Sequence, residues 1–386
     1  MGAAVDGWCD ERFAGVRRAF AGNFAERGER GAAVCVHLDG RVVVDLWGGE
    51  AGGSGGPRPW TGDTLVNAFS VGKGLAALLV ARSVGRGELD VDAPVAAVWP
   101  EFAAAGKADV TLRLLLSHQA GLPAVRHRLP PGAMLDHDTM AAALAAETPW
   151  WPPGTAHGYH TNTYGFLLGE VLRRVTGRSA GTLLRDEIGG PLGADVHWGL
   201  PASEDDRVAD FLWPGDPPPE AAPDGADDER LMLHNTYFNP SGLSGAGMVN
   251  TRAWRAAEIP STNLHASARG VARVYAALAA GGTIDGVQVV DGSALTAATV
   301  EQVYGIDRIL HRSNRFGLGF QLTQAERPLG PHPGAFGHFG AGGSLGFCDP
   351  HTGIAFGYLM DQMGDRWLSP RTRALIDAVY AAVADT

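Results

Sequence analysis

The residues whose types and spacing most plainly suggest chemistry lie in Ala68-Phe69-Ser70-Val71-Gly72-Lys73-Gly74-Leu75, a loop running into an apolar helix. Ser70 stands near the helix N-terminus and Lys73 follows one turn later, so hydroxyl and amine share a face. The positive end of a helix favours negative charge on the serine oxygen. A lysine packed among apolar residues is poorly solvated as an ammonium, which lowers its pKa and fits it to act as a base. Serine is a weak nucleophile until such a base takes its proton. Together they predict acyl transfer through a serine ester. The competing reading is an ordinary helix start with a solvated lysine, and the rest of the chain decides between them.

Other candidate groups are weaker. Gly342-Gly343-Ser344-Leu345-Gly346 and Gly52-Gly53-Ser54-Gly55-Gly56 both match G-x-S-x-G, a nucleophile turn that needs a strand before the serine and a helix after it. Ser344 precedes strand-like residues and Ser54 lies in a glycine-rich loop, so neither is expected to attack a substrate. His127 and His137 have no H-E-x-x-H or carboxylate pattern around them, and no metal or organic cofactor is expected. Trp150-Trp151 would either wall an apolar acyl pocket or pack the core.

The elements that must position Ser70 fall into helices and strands at both chain ends, with a helical middle. Phe13, Val16, Phe20 and Phe24 recur at helical spacing within residues 10–27. Residues 33–38 and 41–47 are β-rich runs joined by Asp39-Gly40, a hairpin signal. The helix that Ser70 opens should end near Gly85. Beyond it short helical runs dominate: 112–117 capped by Thr111, then 139–147 and 164–175. Residues 214–230, rich in Pro, Asp and Glu, read as a solvated loop. A helix over 266–280 ends at Gly281-Gly282. Strands are expected at 286–290, 316–322, 337–340, 344–348 and 354–360, and Ser369-Pro370 opens a last helix. The expected division is an α/β domain from 1–90 and 265–386 around a mainly helical domain from 91–264.

Composition bounds the partners. A chain of 386 residues, 45% hydrophobic, can bury a large core. Its net charge of −11, without any basic run, argues against nucleic acid or an anionic membrane surface as partner. Cys9, Cys35 and Cys348 show no metal or redox spacing and fit the reduced thiols of a cytoplasmic protein. No apolar run reaches membrane-spanning length, and residues 1–12 have no apolar signal core.

Element order and three short motifs resemble the serine β-lactamase and penicillin-binding-protein superfamily, nearest its class C-like branch with the family VIII carboxylesterases and D-aminopeptidases. The motifs are Ser70-Val71-Gly72-Lys73; Tyr159-His160-Thr161 shortly after Pro153-Gly154, where relatives carry Y-x-N; and His338-Phe339-Gly340, the H-x-G form of the K-T-G strand. Leu115-Leu116-Ser117-His118-Gln119-Ala120-Gly121-Leu122 and Glu258-Ile259-Pro260 are supporting echoes, and the resemblance runs over about residues 10–384. It implies an α+β, β-lactamase-like fold, an antiparallel sheet flanked by helices from both chain ends plus an inserted mainly helical lobe. It also implies that Ser70 attacks an acyl carbon while Lys73 and Tyr159 relay its proton. The N–H groups of Ser70 and Ala341 would form the oxyanion hole, and His338 and Gly340 would bind substrate, with Trp151 a further candidate for that role.

Two departures bear on the substrate. Thr161 replaces the asparagine of Y-x-N, with Asn162 adjacent as a partial substitute, and His338 replaces the lysine of K-T-G. In β-lactam-recognising relatives that lysine helps hold the substrate carboxylate, and a neutral imidazole offers no permanent charge. The expected substrate is a small acyl ester. The alternatives are a D-amino-acid amide or peptide, a β-lactam hydrolysed weakly, acyl transfer by the same chemistry, or ligand binding without turnover. The oligomeric state is not legible. Ser70→Ala is expected to abolish turnover and covalent labelling by a fluorophosphonate, whereas Ser344→Ala and Ser54→Ala still label; a labelled Ser344 in a peptide map would contradict this reading.

Overall fold

The Asp39-Gly40 turn, with both residues at positive φ (49° and 78°), folds Gly31–Leu38 back on Arg41–Ala51 as a hairpin. The computed structural model describes residues 4–53, 56–213, 227–364 and 369–384. Among them this hairpin is the seed of a ten-stranded antiparallel sheet. From one edge the strands run Val5–Cys9, Arg41–Ala51, Gly31–Leu38, Ile354–Met360, Leu345–Asp349, Phe336–Phe339, Gln321–Leu322, Ser313–Phe316 and Val303–Ile306, with Arg58–Pro59 pairing off the second. Gly31–Leu38 pairs with Ile354–Met360 from Leu38↔Ile354 to Ala32↔Met360, so the two ends of the chain lie side by side. Ile354–Met360 is buried throughout, which is why it reads as an unbroken apolar run without alternation. Helix Ala268–Ala279 lies against it; a Cβ on Gly357 would fall 2.4 Å from the Ala268 carbonyl. Helices Ala14–Glu26 and Pro370–Ala384 pack on each other.

Helix Val71–Gly85 runs where the sheet meets the helices between its strands. Every residue from Val71 to Ala81 is buried, as expected of a helix that is apolar all round. It packs against strand Phe336–Phe339 on one side and helix Thr163–Thr176 on the other. Gly74 permits the close approach, since a Cβ there would meet the Tyr275 hydroxyl at 2.4 Å and His338 Cβ at 3.5 Å. The apolar core is continuous from Phe13 to Ala382, so this helix holds Ser70 and Lys73 at the junction.

Several sequence expectations need correction. The run 316–322 is two strands, Ser313–Phe316 and Gln321–Leu322, broken at Gly319 (φ 88°), where a Cβ would lie 2.4 Å from the Tyr164 hydroxyl and 2.5 Å from Ala77 Cβ. The central helix comes too close for a continuous strand. Of 286–290 only Val287–Gln288 is strand, paired with Thr283–Ile284. Val5–Cys9 pairs along Arg41–Ala51 although its residues show no alternation. Of the expected loop 214–230, residues 214–226 lie outside the described residues, and helix Asp228–Phe238 begins in the rest. Asp227 caps it by accepting from the Arg230 N–H, and Asp228 and Glu229 occupy its first turn. The acidic residues that suggest solvation are helix-start signals there.

One end of the sheet braces the site through a buried acid. The N–H of Asp361 donates to the Gly31 carbonyl (3.1 Å) and its carbonyl accepts from Leu212 (2.6 Å), while the Gly364 N–H reaches the Gly342 carbonyl (3.1 Å). The Asp361 side chain is fully buried; neither oxygen has a hydrogen bond of good geometry among the described residues, and only the Gly52 and Gly31 backbone amides lean towards it. Burial pushes its pKa up to about 7, against the pull of Arg30. The folded chain thus holds a proton that the unfolded chain has released, so this group costs stability increasingly from about pH 4 to about pH 7. Asp361→Asn is expected to raise stability by about 1–3 kcal/mol near pH 8, with the gain in Tm shrinking towards pH 5. A gain independent of pH, or a loss near pH 8, would contradict this.

Candidate active site

Ser70 occupies the N-cap position of Val71–Gly85, yet its side chain makes no capping hydrogen bond. Its hydroxyl is therefore available to other partners, and it is 9% exposed. The preceding Phe69 has φ 49°, a costly conformation for an aromatic residue. Edge-to-face contacts hold it there, with ring centroids 4.8 Å from Phe211 and 6.0 Å from Trp213.

Lys73 is fully buried, and Nζ lies 3.0 Å from Ser70 Oγ, 2.6 Å from the Thr161 carbonyl and 2.8 Å from the Ser261 carbonyl. Burial, with no carboxylate to offset it, pushes the amine well below the ordinary lysine range. A neutral amine has two N–H bonds and one lone pair. With both hydrogens given to carbonyls, the lone pair is left for the Ser70 hydroxyl proton. This is the geometry of a general base acting on a nucleophile.

The asparagine substitution resolves differently from expectation. Thr161 serves through its main-chain carbonyl, and its hydroxyl turns back to the Tyr159 carbonyl (3.3 Å). Asn162 does not substitute. Its Nδ2 donates to the Thr236 carbonyl (2.8 Å) and Ser244 Oγ (3.0 Å), and its Oδ1 accepts from Thr262 (2.9 Å). It anchors helix Asp228–Phe238 instead. The Glu258-Ile259-Pro260 echo matters one residue further on: Glu258 fixes Ser179 Oγ (2.8 Å) and the Gly181 N–H (2.7 Å), and Ser261 reaches Lys73.

Tyr159 is 1% exposed, with its ring centroid 4.7 Å from Lys73 Nζ. Burial raises its pKa, and a hydrogen bond with the Ser70 side chain pulls the other way. Two neighbouring titratable groups whose pKa values are driven apart have the pattern of an acid–base pair. His338 lies alongside, its ring 6.0 Å from that of Tyr159 and inclined by 27°. It is fully buried, and burial holds its pKa well below the ordinary value. Its Nδ1 lies 2.8 Å from the Phe339 carbonyl, which fixes the proton there and leaves Nε2 an acceptor with no partner among the described residues.

Gly340 brings the H-x-G strand onto the Ser70 turn: a Cβ would meet Ser344 Oγ at 2.1 Å, the Ala68 carbonyl at 2.4 Å and Val71 Cγ2 at 3.3 Å. Among the described residues the Ser70 and Ala341 N–H groups donate no main-chain hydrogen bond, as an oxyanion hole requires. Ser344 Oγ is tied to the Ala68 carbonyl (3.2 Å) and strand Leu345–Asp349 follows it, so it is structural; Ser54 lies outside the described residues. Both tryptophans meet one apolar cluster: Trp151 is buried in it with Tyr159, Met232, Ile309 and Phe316, and Trp150 packs on it part-buried, with the Arg126 guanidinium 3.7 Å over its ring. Ser261, Met232 and Ile309 escaped the sequence reading, for none stands in a motif.

Fold and site together define a serine hydrolase. The chain belongs to the beta-lactamase family, whose family model matches residues 16–381. Esterase/beta-lactamase LipL of Mycobacterium tuberculosis is 38% identical over 368 residues, covering 94% of this chain and 84% of that protein. A penicillin-binding-protein homologue from Caulobacter crescentus is 43% identical with a TM-score of 0.89, covering 98% of this chain and 100% of that one. The crystal structure of a family VIII carboxylesterase is 42% identical with the same TM-score of 0.89 and the same coverage, 98% and 100%.

Lys73→Met and Tyr159→Phe should each lower kcat by about 10²–10⁴-fold. Because they act as one relay, the double variant should fall no more than about tenfold below the weaker single one. Fully additive losses in steady-state assays would show that they act independently.

Proposed function

We propose that the protein hydrolyses small, uncharged acyl esters through a covalent ester on Ser70. The observation that carries this reading is the Lys73 amine, buried without a counter-charge and 3.0 Å from Ser70 Oγ. Lys73 takes the Ser70 proton as Oγ attacks the acyl carbon. The oxyanion forms against the Ser70 and Ala341 N–H groups, each such donor contributing about 2.7–4 kcal/mol. Tyr159, held protonated by burial, delivers a proton to the departing alkoxide and is reset through Lys73. Water then repeats the cycle on the acyl carbon. Where an alcohol replaces water, the same steps give acyl transfer.

Substrate preference follows from what surrounds that centre. His338 is neutral and Thr161 directs its hydroxyl to its own backbone, so neither offers the cation or the side-chain amide that a β-lactam or peptide would use. Gly340 and Trp151 are assigned to the substrate cleft beside His338, with Trp151 in its apolar wall. The likeness to a family VIII carboxylesterase supports the ester reading over D-amino-acid amides, β-lactams and non-catalytic binding, and LipL, named as both esterase and beta-lactamase, supports ester hydrolysis without excluding a β-lactam. Residues 1–90 with 265–386, and 91–264, are taken as the two parts that meet at the cleft. The free cysteines Cys9, Cys35 and Cys348 support a reducing, cytoplasmic setting.

The test is a panel of p-nitrophenyl esters, nitrocefin and D-amino-acid anilides with wild type and Ser70→Ala. A carboxylate-bearing substrate forgoes a charge-assisted hydrogen bond of about 1.5–3 kcal/mol, or about one to two powers of ten in kcat/KM. A short p-nitrophenyl ester should therefore exceed nitrocefin by at least that factor, and His338→Lys should narrow the gap. Preference for nitrocefin or an anilide by the wild type would overturn the ester reading.

A further inference from the structure

The chemistry above leaves one buried carboxyl group unused. Asp307 is fully buried in the turn that joins edge strand Val303–Ile306 to Ser313–Phe316. Its two oxygens accept the Tyr159 N–H at 3.1 and 3.0 Å, and also the N–H groups of Ile309 (2.8 Å) and Leu310 (2.9 Å) and Asn314 Nδ2 (3.0 Å). The neighbouring Arg308 N–H donates to the His157 carbonyl at 3.0 Å. The tip of this hairpin thus grips the backbone of residues 157–159 at two points. Behind Asp307, Asn314 Oδ1 accepts from Arg327 Nη2 at 2.7 Å. Arg327 is 5% exposed and lies over the Phe339 ring at 5.3 Å, between His338 and Gly340 in sequence.

The polarity of this chain is forced from its far end. A guanidinium only donates, so Asn314 must present its oxygen to Arg327 and its NH₂ to Asp307. Asp307 must then accept on every side, and only a carboxylate has acceptor sites for all of these N–H donors. An amide at 307 would set its own NH₂ against the Asn314 NH₂ or against the Ile309 and Leu310 N–H groups. Reacting groups need support of this kind, since a displacement of about 1 Å can cost about 10²-fold in rate.

We infer that Asp307 is the positioning residue of Tyr159, oriented by Asn314 and Arg327, so that one hydrogen-bonded line fixes the proton donor from the sheet edge. This rests on Tyr159 being the proton relay. The hairpin tip acts by holding the Tyr159 backbone.

The test uses the full chain and a p-nitrophenyl ester. Asp307→Asn is expected to lower kcat by about 10²-fold with KM changed less than about threefold, because the apolar wall stays in place. Combining Asp307→Asn with Asn314→Asp exchanges amide and carboxylate. The 307 amide can then donate to the 314 carboxylate, which still accepts from Arg327, while the 307 oxygen keeps the Tyr159 N–H. The exchange should recover kcat to within about tenfold of wild type, which simple damage to the fold would not do. In a Tyr159→Phe background, Asp307→Asn should cost less than about threefold more. An Asp307→Asn enzyme with wild-type kcat, an exchange variant no better than the single, or an undiminished effect in Tyr159→Phe would each overturn the inference. Should the single variant not fold, the exchange variant decides alone: folded and active supports the line, unfolded or inactive refutes it. A Tyr159→Phe enzyme with unchanged kcat would instead bring down the relay and the inference together.

Discussion

Burying an amine without a counter-charge is the constraint on which this structure depends. An ammonium buried at this point, beside the Ser70 hydroxyl, two main-chain carbonyls and the Tyr159 ring, would lose its hydration with no carboxylate among its described partners in return. Burial moves the amine's pKa well below the ordinary lysine range, towards the neutral form that the proposed activation of Ser70 requires. The apolar helix therefore does two things at once: it completes the core, and it favours the neutral state that the proposed base requires. A carboxylate placed beside Lys73 would stabilise the fold locally and remove the chemistry.

The rest of the site follows from the two hydrogens that a neutral amine must still place. Both go to main-chain carbonyls, Thr161 and Ser261, contributed by segments far apart in the chain. The fold brings those segments to the end of helix Val71–Gly85 because that helix packs against Thr163–Thr176 as well as the sheet. The strained Phe69 turn, held by Phe211 and Trp213, points Ser70 away from its own helix cap. The tight seat of Gly340 against Ala68 then sets the second wall of the cleft.

What was legible in the sequence was whatever rests on side-chain type or local periodicity. Ser70, Lys73, Tyr159 and His338 stand in short motifs, and the helix that Ser70 opens ends at Gly85 as its Gly-Arg-Gly punctuation suggests. The Asp39-Gly40 turn and the buried strand Ile354–Met360 were equally readable. What stayed hidden rests on the main chain or on distant partners. A carbonyl acceptor such as that of Ser261 leaves no mark in a sequence. Asp307 reads like any turn aspartate until Tyr159 is beside it. The acidic start of helix Asp228–Phe238 shares its composition with a solvated loop, and the strand break at Gly319 is imposed by Ala77 and Tyr164 on other elements.

The chain has two lysines, Lys73 and Lys107, and both are fully buried. Lys107 Nζ faces three carbonyls, those of Ala104 (2.8 Å), Ala145 (2.9 Å) and Glu147, which match the three hydrogens of an ammonium. Lys73 faces two carbonyls and the Ser70 hydroxyl, and a hydroxyl, unlike a carbonyl, can also donate its proton to a neutral amine. Titration of the two lysine side chains by ¹³Cε and ¹⁵Nζ NMR, assigned with Lys73→Met and Lys107→Met, separates the two states directly. The Lys73 signal is expected to be that of a neutral amine near pH 7, with Lys107 still charged. A Lys73 signal that remains protonated well above pH 7 would contradict the account.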